Sequence, residues 1–409
     1  MTAPRSPRSL FARLGLGPGD PRFATGYFFL FSVYGITSPF LQVLIKGLGY
    51  GDAQIGLFLG LFEAAGIGGQ LFLARVADKS GKYRPYLFLT GALTVVAAFP
   101  LALFPAPIVT AAAIIVMAFG VRGMVPVMDA SVVAHTHREG TSAPRGNYGL
   151  IRSMGTVGYI AMLLLTQNAN LQFGKPLAIA GWAAGAALVF MATLTFVPES
   201  GQVVHRDETT KKKPRRPFDP RLYLGLVIIA LGRLAMAPIN SFFTLYVTDV
   251  VKLDVAGLLW AVSAAAEVPA LILAKRFIDR FGPMRVLAVS TAAIALRLAI
   301  YVLFPTISGV LFAQLLHFFC YGLFLPSAIA FVSSHVPPER RVWGMSLLTG
   351  LAVGFPSFLG STIGGLILSA DGYRALFGWS ILPAALGLAI WVATRKLLER
   401  SEPIGTQGS

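Results

Sequence analysis

The sequence predicts an all-α membrane protein: twelve transmembrane helices in two pseudo-symmetric six-helix bundles, with both termini in the cytoplasm. Three observations predict it. The first is composition: 55% of the 409 residues are hydrophobic and 13% are charged, with a mean hydropathy of +0.70. Soluble domains carry about 25% charged residues. The second is a succession of apolar runs, each long enough to cross a bilayer as a helix, which takes about 20 residues. The third is an internal repeat relating the first half of the chain to the second.

The apolar runs fall near 24–47, 53–74, 86–105, 108–132, 147–167, 176–197, 222–247, 255–274, 286–305, 309–334, 343–369 and 373–394. They divide the chain into a cytoplasmic N-terminal segment (1–23), a first bundle (24–197), a cytoplasmic linker (198–221), a second bundle (222–394) and a cytoplasmic tail (395–409). The segment before the first run is too long and polar for a signal peptide, and no small-residue cleavage site follows. In the first run, Gly35, Thr37, Ser38 and Pro39 are expected to interrupt the helix, since proline removes a backbone hydrogen bond. In the second, Gly56 and Gly60 allow another helix to approach closely. The linker, with its Lys/Arg run between prolines, reads either as a topology anchor with no other task or as a connector with an affinity for anionic headgroups.

The repeat is carried by two short stretches. One constant offset superposes Arg75 on Arg276, Asp78 on Asp279, Gly81 on Gly282 and Arg84 on Arg285. An offset shorter by one superposes Pro126 on Pro326 and His135 on His335. The halves therefore repeat in parallel.

The net charge of +16 raises the possibility of a nucleic-acid partner, but its distribution excludes it. Lys46, Lys175, Lys252 and Arg374 fall on one side of the membrane and four arginines within spans; the remaining Lys and Arg lie on the side of the termini. That asymmetry places the termini in the cytoplasm. Cys320 is the single cysteine, so no intrachain disulfide forms. The chain has no P-loop, GxSxG, HExxH or Cys/His metal spacing. It is not expected to be an enzyme, and no cofactor or metal is implied.

The informative residues are the ionisable ones inside the spans: Glu63, Asp129, Glu267, Arg122, Arg152, Arg233, Arg297 and His317. At ~3 kcal/mol each, seven formal charges facing lipid would cost on the order of 20 kcal/mol, more than the ~5–15 kcal/mol of a folded protein. They must turn inward. Arg122 and Asp129 lie seven residues apart and share one side of a helix, so Asp129 can pair with Arg122 or with Arg152. Such a pair either locks two helices or binds solute; one in a cavity does both. Glu267, Arg297 and His317 form a second cluster. Desolvation and a neighbouring arginine act in opposite directions on a buried carboxyl, which suits loading and releasing a proton. Glu63 has no evident partner in its sequence neighbourhood and reads as a proton site. Arg233, with Asn240, Ser241, Phe242 and Tyr246 downstream, offers a polar, aromatic face for a ligand.

The turn GQLFLARVADKSGKYR resembles the loop between spans two and three of the major facilitator superfamily, with Asp78, Lys79, Gly81, Lys82 and Arg84 matching. In that resemblance Asp78, Gly81 and Arg84, with Asp279 and Arg285 in the second copy, belong to the conformational machinery. More narrowly, the chain is similar over nearly its whole length to the lactose permease branch of oligosaccharide:proton symporters and its phenylpropionate-permease-like relatives. PVMDA places Asp129 where that branch has a substrate-binding acid. RSMGTVGY resembles its R-x-x-G-x-x-G-aromatic element, so that Arg152 would hydrogen-bond substrate and Tyr159 would stack on a sugar ring. ALRL and QLLHFF put Arg297 and His317 at the branch's arginine and histidine, with Glu267 within about a turn of its span-eight acid. Two departures stand out. Cys320 replaces the branch's proton-carrying glutamate, which leaves coupling to Glu267, Asp129 or Glu63, or makes the protein a facilitator or exchanger. Tyr159 replaces a stacking Trp.

The resemblance implies a monomeric, multi-pass secondary transporter of a bacterial cytoplasmic membrane. Its partners would be a small organic solute, protons and the lipid bilayer. The substrate-binding residues would be Asp129, Arg152, Tyr159, Arg233, Asn240 and Glu267, and the proton-coupling residues Glu63, Glu267, Arg297 and His317. The solute class stays open among sugars or glycosides, organic anions and nucleosides. A drug or metabolite exporter of the same fold, or a membrane sensor without flux, are the competing readings.

Overall fold

A computed structural model describes residues 20–136, 148–169, 175–199, 219–337 and 340–398. All regular structure among these residues is helical. Eleven helices are long and apolar enough to cross a membrane. They are α1 (Asp20–Gly47), α2 (Asp52–Ser80), α3 (Arg84–Leu103), α4 (Pro107–His135), α5 (Tyr148–Asn168), α6 (Pro176–Leu194), α7 (Pro220–Val251), α8 (Ala256–Phe281), α9 (Pro283–Leu303), α10 (Ile307–His335) and α11 (Trp343–Leu398). Most of the N-terminal segment and linker and the end of the tail lie outside the described residues.

Local chemistry sets the ends. Proline occupies the first turn of α3, α6, α7 and α9, where its missing N–H is not needed. The Asp219 carboxylate accepts from the Arg221 N–H and caps α7, and the Thr306 hydroxyl does the same for the Gly309 N–H at α10. Gly81, at φ 65°, ends α2 in the left-handed conformation that glycine adopts most readily.

One expectation needs correction. The first span is not interrupted: α1 runs helical through Pro39. It is the most buried of the spans, 72%, and packing on protein tolerates the hydrogen bond that proline removes. The last two apolar runs, 343–369 and 373–394, form one helical stretch broken at a single residue, Gly372, with φ 76° and ψ −175°. A Cβ placed on Gly364 would lie 3.1 Å from the Leu376 side chain. Twelve residues of straight helix span about 18 Å, so α11 folds back on itself at Gly372.

Among the first six helices, α1 packs on α5 and α6, α2 on α4, and α3 on α4 and α6. Among the rest, α7 and α9 pack on α11, and α8 and α9 on α10. The two sets meet where α2 crosses α11, α5 crosses α8 and α1 crosses α7. Widened π-type turns occur in α7 (Val247–Val251), α10 (Phe318–Leu323) and α11 (Leu347–Gly354), a distortion frequent at functional sites. The turn in α10 carries Cys320, which is fully buried.

Candidate functional site

All but one of the ionisable residues singled out inside the spans gather in three places. In the first, α1, α4 and α5 meet: Arg152 Nε lies 3.5 Å from Asp129 Oδ1, and the Tyr27 hydroxyl donates to the same oxygen. The Arg152 guanidinium stacks over Phe31 at 4.3 Å from the ring centroid and over Tyr27 at 5.3 Å. Both charged side chains remain about one-third exposed, 32% and 33%, so the pair is reachable.

The second place joins α2 to α4. Arg122 pairs with Glu63 and lies over the Phe62 ring. This corrects one expectation, since Glu63 has a partner, and decides between two others, since Asp129 takes Arg152 rather than Arg122. Arg122 and Asp129 do share a side of α4, but seven residues separate them by about 10.5 Å along the axis, so each meets a different neighbour. Gly66 makes room: a Cβ there would strike the Arg122 side chain.

The third place brings α8, α9 and α10 together. His317 Nε2 lies 3.6 Å from Glu267 Oε2, and its Nδ1 lies 3.0 Å from Arg297 Nη1. Arg297, 1% exposed, also donates to the Gln314 side-chain oxygen at 2.6 Å and to the Tyr301 hydroxyl at 2.9 Å. Ser263 donates to the same Gln314 oxygen. The cation is therefore hydrogen-bonded on all sides, as a buried charge must be.

Arg233, on α7, joins none of these pairs. Its Nε donates to the Ser357 hydroxyl at 3.2 Å, and its guanidinium lies 5.6 Å from the Tyr321 ring centroid. The ligand-facing stripe expected downstream of it is corrected: Phe242 and Tyr246 are core residues, and Ser241 bonds Ser361 across the α7–α11 contact. Asn240 is half-buried, and no described hydrogen bond or ion pair ties it to a cluster.

Tyrosines connect the three places. The Tyr321 ring stacks on His317, centroids 5.1 Å apart and planes 7° from parallel. Tyr34, on α1, lies within electrostatic reach of Arg122, Arg152, Glu63 and Tyr321. Tyr159 lies within electrostatic reach of Glu267 across the α5–α8 contact. A cavity of about 290 Å3 lies between α2 and α4 on one side and α7, α10 and α11 on the other, with Glu63, Arg122, Arg233 and Tyr321 in its wall.

At the ends of the spans away from the termini, Lys46 donates to Asp249 at 2.6 Å, and Tyr373 donates to the same oxygen at 2.7 Å. The Gln167 side chain donates to the Asp254 carbonyl and accepts from the Gly257 N–H at 2.9 Å. At the opposite ends, Arg84 donates to the Thr195 carbonyl at 2.8 Å. Asp78 hydrogen-bonds Tyr83 there, and burial first and Asp78 second raise the Tyr83 pKa. In the second copy of that turn, Lys275 pairs with Asp279 at 2.5 Å, and Arg285 follows in the first turn of α9.

Residues 22–379 match the model of the MFS_1 like family. The chain belongs to that family. It is a multi-pass membrane protein of the major facilitator superfamily of transporters, not an enzyme. The chain is similar to the maltose permease of Geobacillus stearothermophilus, 26% identical over 383 residues that cover 91% of this chain and 94% of that one. It is also similar to the probable 3-phenylpropionic acid transporter of Escherichia coli, 26% identical over 301 residues covering 72% and 77%. In fold it resembles a crystal structure of a mutant of the nucleoside transporter NupG: TM-score 0.81 at 16% identity, over 91% of this chain and all of that one.

Sequence reasoning missed Tyr27, Tyr34, Ser263, Tyr301, Gln314 and Tyr321. Gln314 left a trace, an amide in the apolar stretch VLFAQLLHFF. Tyrosine and serine are ordinary in spans and left none.

Proposed function

We propose that this transporter is a secondary carrier that moves a small organic solute by alternating access, in symport with protons, as a monomer in a bacterial cytoplasmic membrane. The solute is a sugar or glycoside, or an organic acid. The transporting unit is two six-helix bundles, 24–197 and 222–394, joined by the linker 198–221. The fold-back at Gly372 supports twelve crossings, and the Lys/Arg asymmetry supports cytoplasmic termini.

One observation carries the reading. Ionic groups that are costly in a bilayer face one another from both halves rather than lipid: Asp129–Arg152 from α4 and α5, and Glu267–His317–Arg297 from α8, α9 and α10. Tyr159, on α5 with Arg152, lies within electrostatic reach of Glu267. In this reading Asp129, Arg152 and Tyr159 hold the solute, with Glu267, Arg233 and Asn240 opposite. Glu267 and His317 load and release the proton beside the fixed charge of Arg297, and Glu63 is the second candidate carboxyl. The turns at Asp78, Gly81 and Arg84 and at Asp279 and Arg285 steady one conformation.

The test is uptake into proteoliposomes with and without an imposed pH gradient, using maltose and phenylpropionate as first probes. Symport predicts solute-dependent alkalinisation outside the vesicles. Glu267→Gln should abolish gradient-driven accumulation, with any remaining solute exchange at weakened affinity. Binding without flux would replace the carrier by a sensor.

A further inference from the structure

The cavity between α2, α4, α7, α10 and α11 carries an unbalanced charge. One carboxylate, Glu63, and two guanidiniums, Arg122 and Arg233, line it. Glu63 is committed to Arg122. Arg233 has no carboxylate within salt-bridge distance among the described residues, although it is only 7% exposed. Its one described hydrogen bond uses Nε, on Ser357, so the paired Nη groups have no described hydrogen-bond partner in a residue that lines the cavity. A buried cation with no counter-ion costs several kcal/mol; Arg297 offsets this with hydrogen bonds from all three of its nitrogens, whereas Arg233 has one described hydrogen bond and leaves the rest to a ligand.

We infer that the cavity binds the solute through a carboxylate, held in a two-pronged contact by the Arg233 guanidinium with Arg122 alongside. This rests on the transporter reading above and narrows its solute class to small monocarboxylic acids with an apolar body. The planar fork of an arginine matches a carboxylate in geometry as well as charge. Ser357 and the Tyr321 face hold the fork in place. The rest of the wall is mostly apolar, with Met236, Phe324, Ile329, Leu348 and Val353, and adds Gln70 and Thr349. Such a wall receives hydrocarbon and offers few partners for the many hydroxyls of a sugar, which are costly to leave unpaired. The volume, about 290 Å3, falls at the small end of ligand cavities, roughly 300–1,000 Å3. A single carboxylate balances the charge; a dicarboxylate would reverse it.

The test is a thermal-shift and direct-binding panel on purified full-length protein: acetate, lactate, benzoate and phenylacetate, against benzamide, phenylacetamide, maltose, succinate and inorganic phosphate. At least one monocarboxylate should bind, and at least tenfold more tightly than its matched amide. Arg233→Gln should remove that preference and Arg233→Lys should retain part of it. Equal binding of acid and amide by the wild-type protein would overturn the inference whether or not any variant folds. So would preference for phosphate or succinate, failure of every acid to bind, or full discrimination in a folded Arg233→Gln protein. Acid binding without flux would remove the carrier reading and leave this one. Flux of maltose without acid binding would do the reverse.

Discussion

Lys46 at the end of α1 and Asp249 in the widened turn of α7 are joined at 2.6 Å, tying the two helix sets together at the ends of the spans away from the termini. The pair is exposed, 41% and 34%, and such pairs contribute about 0.2–1 kcal/mol. That is enough to tilt a conformational equilibrium and too little to lock it. Lys46→Ala should shift the population open at this end by at most about fivefold, the ratio that ~1 kcal/mol corresponds to. Asp249→Asn should do more, because Tyr373 bonds the same oxygen. Distances between spin labels at the ends of α1 and α7 report the shift. Unchanged distance distributions in both variants would remove the latch.

Gly56 and Gly365 meet where α2 crosses α11. A Cβ on Gly56 would lie 2.5 Å from the Ser361 carbonyl and 2.7 Å from the Gly365 Cα, both backbone atoms that cannot swing aside. Overpacking of this kind costs about 1–3 kcal/mol. Gly56→Ala should lower the melting temperature and transport together. Gly185→Ala, where nothing lies within 4 Å of the new methyl, should do neither. Equal melting temperatures for the two would show that the crossing is looser than its geometry.

Asp129 receives both Arg152 and Tyr27. Asp129→Asn or Arg152→Ala should abolish uptake while leaving folded protein, judged by size-exclusion profile. Tyr27→Phe removes a hydrogen bond to a charged group, about 1.5–3 kcal/mol, and should weaken solute binding by on the order of tenfold or more. Wild-type uptake in all three would take this pair out of the pathway.

Arg297 is the largest fully buried side chain among the described residues, hydrogen-bonded to Tyr301 and Gln314 and within 3.0 Å of His317. Breaking a buried ionic network costs about 3–5 kcal/mol. Arg297→Gln should therefore fail to accumulate as folded protein. Arg297→Lys, which keeps the charge and loses the fork, should fold with a lowered melting temperature. A stable, active Arg297→Gln protein would show that the network is dispensable.

The fold was legible because a bilayer enforces a simple rule. Every crossing must be a long apolar helix, so the spans show in residue type alone. The exceptions were local. Pro39 looks like a break in sequence and is none, because packing around α1 holds the helix. Gly372 looks like part of a loop and is a one-residue reversal, because only its positive φ interrupts helical geometry.

The ionic sites were legible as an inventory. Charges inside apolar runs are too costly to be incidental, so Glu63, Asp129, Arg152, Glu267, Arg297 and His317 stand out in any reading of the chain. Partnership was a different matter. One-dimensional spacing put Arg122 and Asp129 on one side of α4, yet Arg122 goes to Glu63 on α2 and Asp129 to Arg152 on α5. Which charge meets which depends on where neighbouring helices cross, and crossings are set by small residues and ridge-and-groove packing far along the chain. Residue chemistry alone thus decided that this is a helical membrane protein with inward-facing ions. Three-dimensional packing alone decided that Glu63 satisfies Arg122, that Tyr321 bridges His317 and Arg233, and that one guanidinium is left facing a cavity.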